Sequence, residues 1–99
     1  MPITTHEDGH TVTILLDDKF VFSDHRAFRH TYHDRPSATH YIVDFRRVSY
    51  MDSSALGMLL LLKEEGAGGD RTRVKLIHCN VQVKKILEVA NFSQLFIME

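Results

Sequence analysis

The runs His40-Tyr41-Ile42-Val43-Asp44-Phe45 and Met51-Asp52-Ser53-Ser54-Ala55-Leu56-Gly57, separated by a short loop, decide the fold of this chain. The first run is dominated by aromatic and β-branched residues, which is typical of a central strand buried on both faces of a sheet. The second run opens a helix that is predicted to extend from Ser53 to about Gly66. A buried strand followed by a helix is the repeating unit of an α/β domain.

Two strands are predicted before this unit. Residues Ile3–Glu7 and His10–Leu16 have strand composition, and the second segment alternates polar and apolar residues through Val12 and Ile14. Asp8-Gly9 between them favours a two-residue hairpin turn, in which both central positions need a positive φ. The two strands are therefore expected to be antiparallel neighbours.

The first helix is predicted to start in the segment that begins at Phe22 and to run to about His33. Ser23 is expected to cap it, Asp24 to interact with the positive end of the helix dipole, and Phe22 to pack on Ala27.

Beyond the glycine-rich segment 66–69, residues Arg73–Cys79 are predicted to form a strand parallel to Tyr41–Phe45. Asn80 is expected to cap a third helix, Val81–Ala90, and Leu95–Met98 is expected to be a last short strand. The apolar residues of the third helix, Val83, Ile86, Leu87 and Ala90, fall at helical spacing.

The order is therefore β-β-α-β-α-β-α-β, which predicts a single α/β domain over residues 1–99 with a mixed central β-sheet flanked by α-helices. With 43% hydrophobic and 25% charged residues, the composition is that of a globular protein and not of a disordered one. A formal net charge of -1 disfavours direct binding to nucleic acid.

Composition also bears on localisation and on cofactors. The N-terminal segment lacks the features of a signal peptide, and the longest apolar stretch, Met58–Leu62, is far shorter than the ~20 residues that a membrane span needs. Cys79 is the only cysteine, which fits a cytoplasmic protein and leaves no disulfide or multi-cysteine metal site. The seven histidines are expected to be solvated rather than to bind a metal, so no cofactor is predicted.

The start of the second helix allows two interpretations. In the first, Asp52 or Ser53 merely caps the helix, and the loss of such a cap typically costs about 1 kcal/mol. Alternatively, Ser53 belongs to a functional face, because at 100° per residue it shares one helical stripe with Gly57, Leu60 and Glu64. Catalysis by Asp52 and Ser53 is not expected, because no histidine is placed by the sequence to activate the serine.

The opposite face of this helix, with Ala55, Met58, Leu59 and Leu62, is predicted to pack on the core. Leu60 and Leu61 remain as surplus apolar residues beside Ser53. They either contact a partner or are buried from a second side within the domain itself. Gly57 favours contact with a partner, because a glycine inside a helix costs ~1 kcal/mol and close approach of a partner backbone would explain it.

The loop Met51–Gly57 after the strand Tyr41–Phe45 resembles the signature loop of bacterial STAS domains, in particular the anti-sigma factor antagonists, or anti-anti-sigma factors. The similarity covers nearly the whole chain and includes the segment Phe20–Phe28. It also includes the pairs Val83-Lys84 and Leu95-Phe96. The chain departs from many members at Ala55, where they have glycine.

This resemblance implies a function in partner switching, signal transduction and transcription regulation. In that family a partner anti-sigma factor, which is also a serine kinase, phosphorylates the serine directly after the aspartate, and a PP2C-type phosphatase reverses the reaction. The corresponding serine is Ser53, so the protein is expected to be a phosphoprotein and a kinase substrate rather than an enzyme. An alternative is a STAS scaffold or transport-accessory domain that binds without phosphorylation. The expected partner-binding residues are Asp52, Ser53, Ser54, Gly57, Leu60, Leu61 and Glu64.

Overall fold

The structure is a computed structural model that describes residues 3–99. In chain order its strands and α-helices are β1 (Thr4–Asp8), β2 (Thr11–Leu15), β3 (Lys19–Phe20), α1 (His25–Tyr32), β4 (His40–Asp44), β5 (Tyr50–Met51), α2 (Ser53–Leu61), β6 (Val74–Ile77), α3 (Val81–Val89), α4 (Phe92–Leu95) and β7 (Ile97–Met98).

Five of these strands form the main sheet, in the order β1-β2-β4-β6-β7. β1 is antiparallel to β2, and all the other neighbours are parallel. The predicted order of strands and helices in a mixed sheet is confirmed, as is the central place of β4. The fold is therefore an α/β domain in which each parallel neighbour in this sheet follows a helical crossover.

The hairpin between β1 and β2 differs from the prediction by one residue. Asp8 pairs with Thr11, so the two central residues are Gly9 and His10 and not Asp8 and Gly9. Only Gly9, with a φ of 62°, has a positive φ, whereas the prediction required one at both positions. This turn needs a positive φ only at its first central position, and glycine adopts that conformation without steric cost.

The start of the first helix is also different from the prediction. A short 3₁₀ helix, Phe22–Asp24, precedes α1, and Ser23 makes no capping hydrogen bond. Instead, the Asp24 carboxylate accepts a hydrogen bond from the backbone N–H of Val21 at 3.0 Å. Phe22 is 69% exposed and its ring stacks on His25 rather than packing on Ala27.

The core lies between one face of the main sheet and the helices. On β4, Tyr41 and Val43 point to this face and are at most 1% exposed. The prediction that β4 is buried on both faces is wrong, because Ile42, on the other face, is only half-buried. From the helices the core receives, among others, Phe28, Ala55, Leu59, Leu62, Val83 and Leu87.

The C-terminal half follows the prediction except near its last strand. Asn80 caps α3 by accepting a hydrogen bond from the N–H of Val83 at 2.8 Å, as predicted. Of the four apolar residues at helical spacing on α3, Val83 and Leu87 are buried, whereas Ile86 is 42% exposed. The last strand contains only Ile97 and Met98, because the residues before it form α4, which the sequence did not predict.

The second helix has the predicted length. α2 continues into a π-helical turn, Leu62–Gly66, that brings its end to the predicted glycine. Among residues 3–99, no helix is both long enough and apolar enough to cross a bilayer.

Candidate partner-binding surface around Ser53

Two loops that lead into the candidate site are joined by their backbones. β3 and β5 form a two-stranded parallel sheet in which Lys19 pairs with Tyr50 and Phe20 pairs with Met51. One residue earlier, the carbonyl oxygen of Asp18 accepts a hydrogen bond from the N–H of Ser49 at 2.8 Å. The Ser49 hydroxyl also donates to the Asp18 carboxylate. These contacts fix the start of α2 relative to the start of the 3₁₀ helix.

Asp52 is the residue that caps α2. Its backbone is extended, with φ -96° and ψ 179°, and its Oδ1 accepts a hydrogen bond from the N–H of Ser54 at 3.0 Å. Its Oδ2 accepts a second hydrogen bond, from the N–H of Phe22 at 3.2 Å. One carboxylate therefore satisfies a free N–H at the start of α2 and attaches the preceding 3₁₀ helix to it.

Ser53 is the first residue of α2, and its side chain is exposed. Of the two possible caps that the sequence left open, Asp52 fills the role. Within the described part of the chain, residues 3–99, the Ser53 hydroxyl takes part in no hydrogen bond, whereas Asp52 makes two. The hydroxyl is thus accessible at the N-terminus of a helix, where the dipole favours negative charge.

An open groove of about 480 Å³ lies beside Ser53 along α2. Leu60 and Leu61 are each 37% exposed, so the alternative that both are buried inside the domain is wrong. On the other side of the helix, the predicted core face is confirmed, with no residue more than 3% exposed. The groove is lined by Phe22, His25, Ser54, Gly57, Met58, Leu60, Leu61 and Glu64.

Five of the seven predicted binding residues therefore line one groove, and Asp52 and Ser53 directly precede it in the chain. The sequence did not identify Phe22 and His25 as lining residues. Their ring centroids are 6.1 Å apart with an angle of 22° between the planes. Their spacing of three residues at a helix start was a signal for such a pair, but the pattern did not show that it would face α2.

Nothing within its own domain requires a glycine at position 57. A Cβ atom built at this position would meet no atom within 4 Å. Its backbone has no positive φ either, so alanine is compatible with the helix. The open space beside Gly57 faces the groove and leaves room for close approach from outside.

The described residues around Ser53 include neither a hydrogen-bonded serine–histidine pair nor a metal cluster. Among residues 3–99, no histidine is hydrogen-bonded to Ser53 or Ser54, which an activated serine nucleophile needs. In the same described residues, no three His, Cys, Asp or Glu side chains are grouped as a metal site. Cys79 lies outside the groove; it is half-buried, and burial raises the pKa of its thiol to about 11.

Comparison with known proteins agrees with this architecture. A family model described as Mlab, STAS domain, matches residues 3–98. A STAS-domain containing protein of Pseudomonas aeruginosa is 46% identical over 91 residues, which cover 90% of this chain and 88% of the relative.

Solved structures show the same fold at lower identity. The unphosphorylated form of the anti-sigma factor antagonist SpoIIAA has a TM-score of 0.71 at 21% identity, covering 98% of this chain and 86% of that one. The phosphorylated form from Bacillus has a TM-score of 0.73 at 19% identity, covering 98% and 90%. The murine solute carrier 26 member A9 anion transporter has a TM-score of 0.66 at 18% identity, covering 85% of this chain and 14% of that one. The match over nearly its whole length makes this chain a member of the STAS-domain family.

Proposed function

We propose that this protein is an anti-sigma factor antagonist that works as a phosphorylation-controlled binding switch. In its unphosphorylated form it binds a partner anti-sigma factor that is also a serine kinase, and phosphorylation of Ser53 releases it. A PP2C-type phosphatase restores the binding form. The protein acts in the bacterial cytoplasm and regulates transcription without contacting nucleic acid itself.

The observation that carries this proposal is the state of Ser53. Its hydroxyl is exposed and makes no hydrogen bond within residues 3–99, because Asp52 supplies the cap of α2. A kinase can therefore reach it without unfolding the helix. SpoIIAA, which has the same fold, has been solved in an unphosphorylated and a phosphorylated form.

Electrostatics explains how the phosphate would act. A phosphoserine carries about -1.5 to -2 charge at pH 7, and the helix dipole at the start of α2 offsets only about 0.3–1 kcal/mol of its cost. The adjacent Asp52 carboxylate repels it, and a partner covering Leu60 and Leu61 would have to desolvate it. Repulsion and desolvation therefore exceed the dipole term at the interface. The fold is expected to stay unchanged, because Ser53 is exposed.

Binding, rather than catalysis, is the role of this surface. STAS domains are generally binding modules, and the chain has no glycine-rich phosphate loop followed by lysine. The nucleotide and magnesium therefore belong to the partner kinase. The partner's apolar side chains are expected to fill the groove beside Gly57, Leu60 and Leu61.

Phosphorylation is tested directly with the purified protein, cell extract and ATP. Mass spectrometry is expected to locate one phosphate on Ser53, and the variant Ser53→Ala is expected to take up none. Ser54→Ala is the matched control and is expected to be phosphorylated like the wild type. Phosphate found only at other positions would contradict the proposal.

Partner release is tested by titration against the purified kinase. Ser53→Ala is expected to bind constitutively, and Ser53→Asp is expected to bind roughly a hundredfold more weakly, which corresponds to about 2.7 kcal/mol. Equal affinities of the two variants would reject the switch.

A second candidate is a STAS scaffold or transport-accessory domain that binds a protein through the same groove without phosphorylation. The similarity to the domain within the murine anion transporter favours it. This alternative predicts no phosphate on Ser53 in extract and equal binding by Ser53→Ala and Ser53→Asp.

A further inference from the structure

A second groove, of about 460 Å³, lies on α1 and is lined only by basic side chains and imidazoles. They recur at helical spacing, so they form one stripe, and all of them are exposed. Its formal positive charges are the guanidinium groups of Arg26 and Arg29, in a chain whose net charge with neutral histidines is -1. We call it the cationic stripe; its residues are His25, Arg26, Arg29, His30 and His33.

Acidic side chains face two members of the cationic stripe. His33 Nε2 lies 3.4 Å from Asp34 Oδ2. Arg29 is 3.6 Å from a Glu65 carboxylate oxygen, and both side chains are about half exposed. Such an exposed pair is weak and available for exchange. Within residues 3–99, Arg26 has no ion-pair partner. Asp24, the nearest acidic residue before it, already accepts a hydrogen bond from a backbone N–H.

The cationic stripe is continuous with the apolar groove on α2. His25 lines both grooves, and its ring stacks on Phe22 at the rim of the apolar one. A single occupant that places apolar side chains against Leu60 and Leu61 therefore passes next to Arg26 and Arg29. The combined surface selects for an occupant that is apolar on one side and acidic on the other.

We propose that the cationic stripe binds an acidic segment of the partner protein, whose carboxylates pair with Arg26 and Arg29 while its apolar side chains enter the groove on α2. This inference rests on the proposed function in so far as the partner occupies that groove. A protein fits better than a nucleic acid, because the basic residues occupy one short helix and adjoin an apolar groove rather than extending along the surface. Guanidinium groups suit carboxylates, which they bind through paired hydrogen bonds.

The probe is a synthetic amphipathic helical peptide with leucines on one face and glutamates on the flanking face. A second peptide has glutamine in place of every glutamate. Amide shifts in NMR spectra of the full chain are expected to change in α1 as well as in α2 with the acidic peptide. The glutamine peptide is expected to bind at least about tenfold more weakly.

Charge reversal locates the contact. The double variant Arg26→Glu, Arg29→Glu is expected to bind the acidic peptide at least about tenfold more weakly. The double variant Lys84→Glu, Lys85→Glu makes the same change in net charge on α3 and is expected to bind within about twofold of the wild type. Both variants alter exposed residues, and circular dichroism checks that both are folded.

Three outcomes would overturn the inference: equal binding of the two peptides, equal effects of the two double variants, or shifts confined to α2. Vesicles containing anionic lipid are tested separately. If the wild type binds them and only the Arg26→Glu, Arg29→Glu variant loses this binding, the stripe would be assigned to a membrane surface instead. The test uses unphosphorylated protein. Failure of phosphorylation at Ser53 would reject the switch and leave the peptide result unaffected.

Discussion

The carboxylate of Asp52 connects the N-terminus of α2 to the backbone of Phe22, 30 positions earlier in the chain. One oxygen accepts from the N–H of Ser54 at 3.0 Å and the other from the N–H of Phe22 at 3.2 Å. Phe22 forms one rim of the apolar groove, and the start of α2 forms another. This side chain therefore holds the two rims together in addition to the main-chain contacts of β3 and β5, and it leaves Ser53 without a capping role.

Replacing this carboxylate should destabilise the protein more than removing the adjacent hydroxyl. Asp52→Ala is expected to lower the free energy of unfolding by about 1–2 kcal/mol, because the cap and the link to Phe22 are both lost. Ser53→Ala is expected to change it by less than about 0.5 kcal/mol, since the hydroxyl is exposed. Urea denaturation measures both values. A larger effect of Ser53→Ala would show that Ser53 is the cap.

Two glycines of the second helix should respond oppositely to alanine. Gly57→Ala is expected to stabilise the protein by about 0.5–1 kcal/mol, because nothing lies within 4 Å of the added Cβ. Gly66→Ala is expected to destabilise it by about 1–2 kcal/mol, since its Cβ would lie 3.0 Å from Leu62 Cδ1 and 3.3 Å from Tyr32 Cβ. Thermal unfolding compares the two. Loss of stability in Gly57→Ala would contradict the open space described at that position.

The Gly57→Ala variant also tests the binding surface. If a partner backbone approaches Gly57 closely, the stabilised variant should bind that partner at least about tenfold more weakly. Unchanged affinity would remove Gly57 from the interface.

Substitutions at three consecutive leucines should distinguish a residue that stabilises the fold from residues that bind the partner. Leu59 is 0% exposed, so Leu59→Ala is expected to cost about 2–5 kcal/mol of unfolding free energy. Leu60 and Leu61 are each 37% exposed, and the same substitution is expected to cost about 1 kcal/mol or less at either position. Partner affinity should fall instead in these two variants. Chemical denaturation and titration with the partner give the two readouts, and unaltered affinity in both surface variants would exclude the groove.

Stability should decrease at high pH. Burial raises the pKa of Tyr32 to about 12 and that of Cys79 to about 11, and it also raises the pKa of Tyr41. The folded state therefore keeps these protons after the unfolded state has lost them. Their contribution is complete below about pH 8, where the unfolded groups are still protonated, and disappears as the pH rises through the folded pKa values.

The variant Tyr32→Phe is the control for this pH dependence. It should reduce the loss of unfolding free energy between pH 9 and pH 12 by roughly 1–2 kcal/mol, because it removes one of the raised groups. Urea denaturation across this range makes the comparison. An identical pH dependence in wild type and variant would assign the effect to other groups.

The sequence predicted the elements whose pattern repeats over several residues. The spacing of Ala55, Met58, Leu59 and Leu62 identified the buried face of α2, because a helix of that length must bury its apolar stripe. By elimination it also marked Leu60 and Leu61 as surplus, and their exposure agrees. Short elements escaped prediction: β3 and β5 contain two residues each, too few for any period to appear.

The sequence pattern did not predict contacts between distant segments either. Nothing in the local pattern indicated that Phe22 and His25 would line a groove with α2, because this depends on the hydrogen bond from Phe22 to Asp52. Helical spacing groups Ile86 with Val83 and Leu87 but defines a face only to within about one residue, and the packing of α3 leaves Ile86 42% exposed. The prediction that Ser53 is a phosphorylation site relied on family resemblance, since a carboxylate and two hydroxyls at a helix start suit a simple cap equally well.

The small sheet formed by β3 and β5 has a consequence for how the family can diversify. The rims of the groove are positioned by main-chain hydrogen bonds between residues 18–20 and 49–51, which do not depend on most side-chain identities. Exposed side chains such as Phe22 and Tyr50 can therefore be exchanged while the frame that carries them stays in place. On such a frame, a change in what the surface recognises would require substitutions only among exposed side chains.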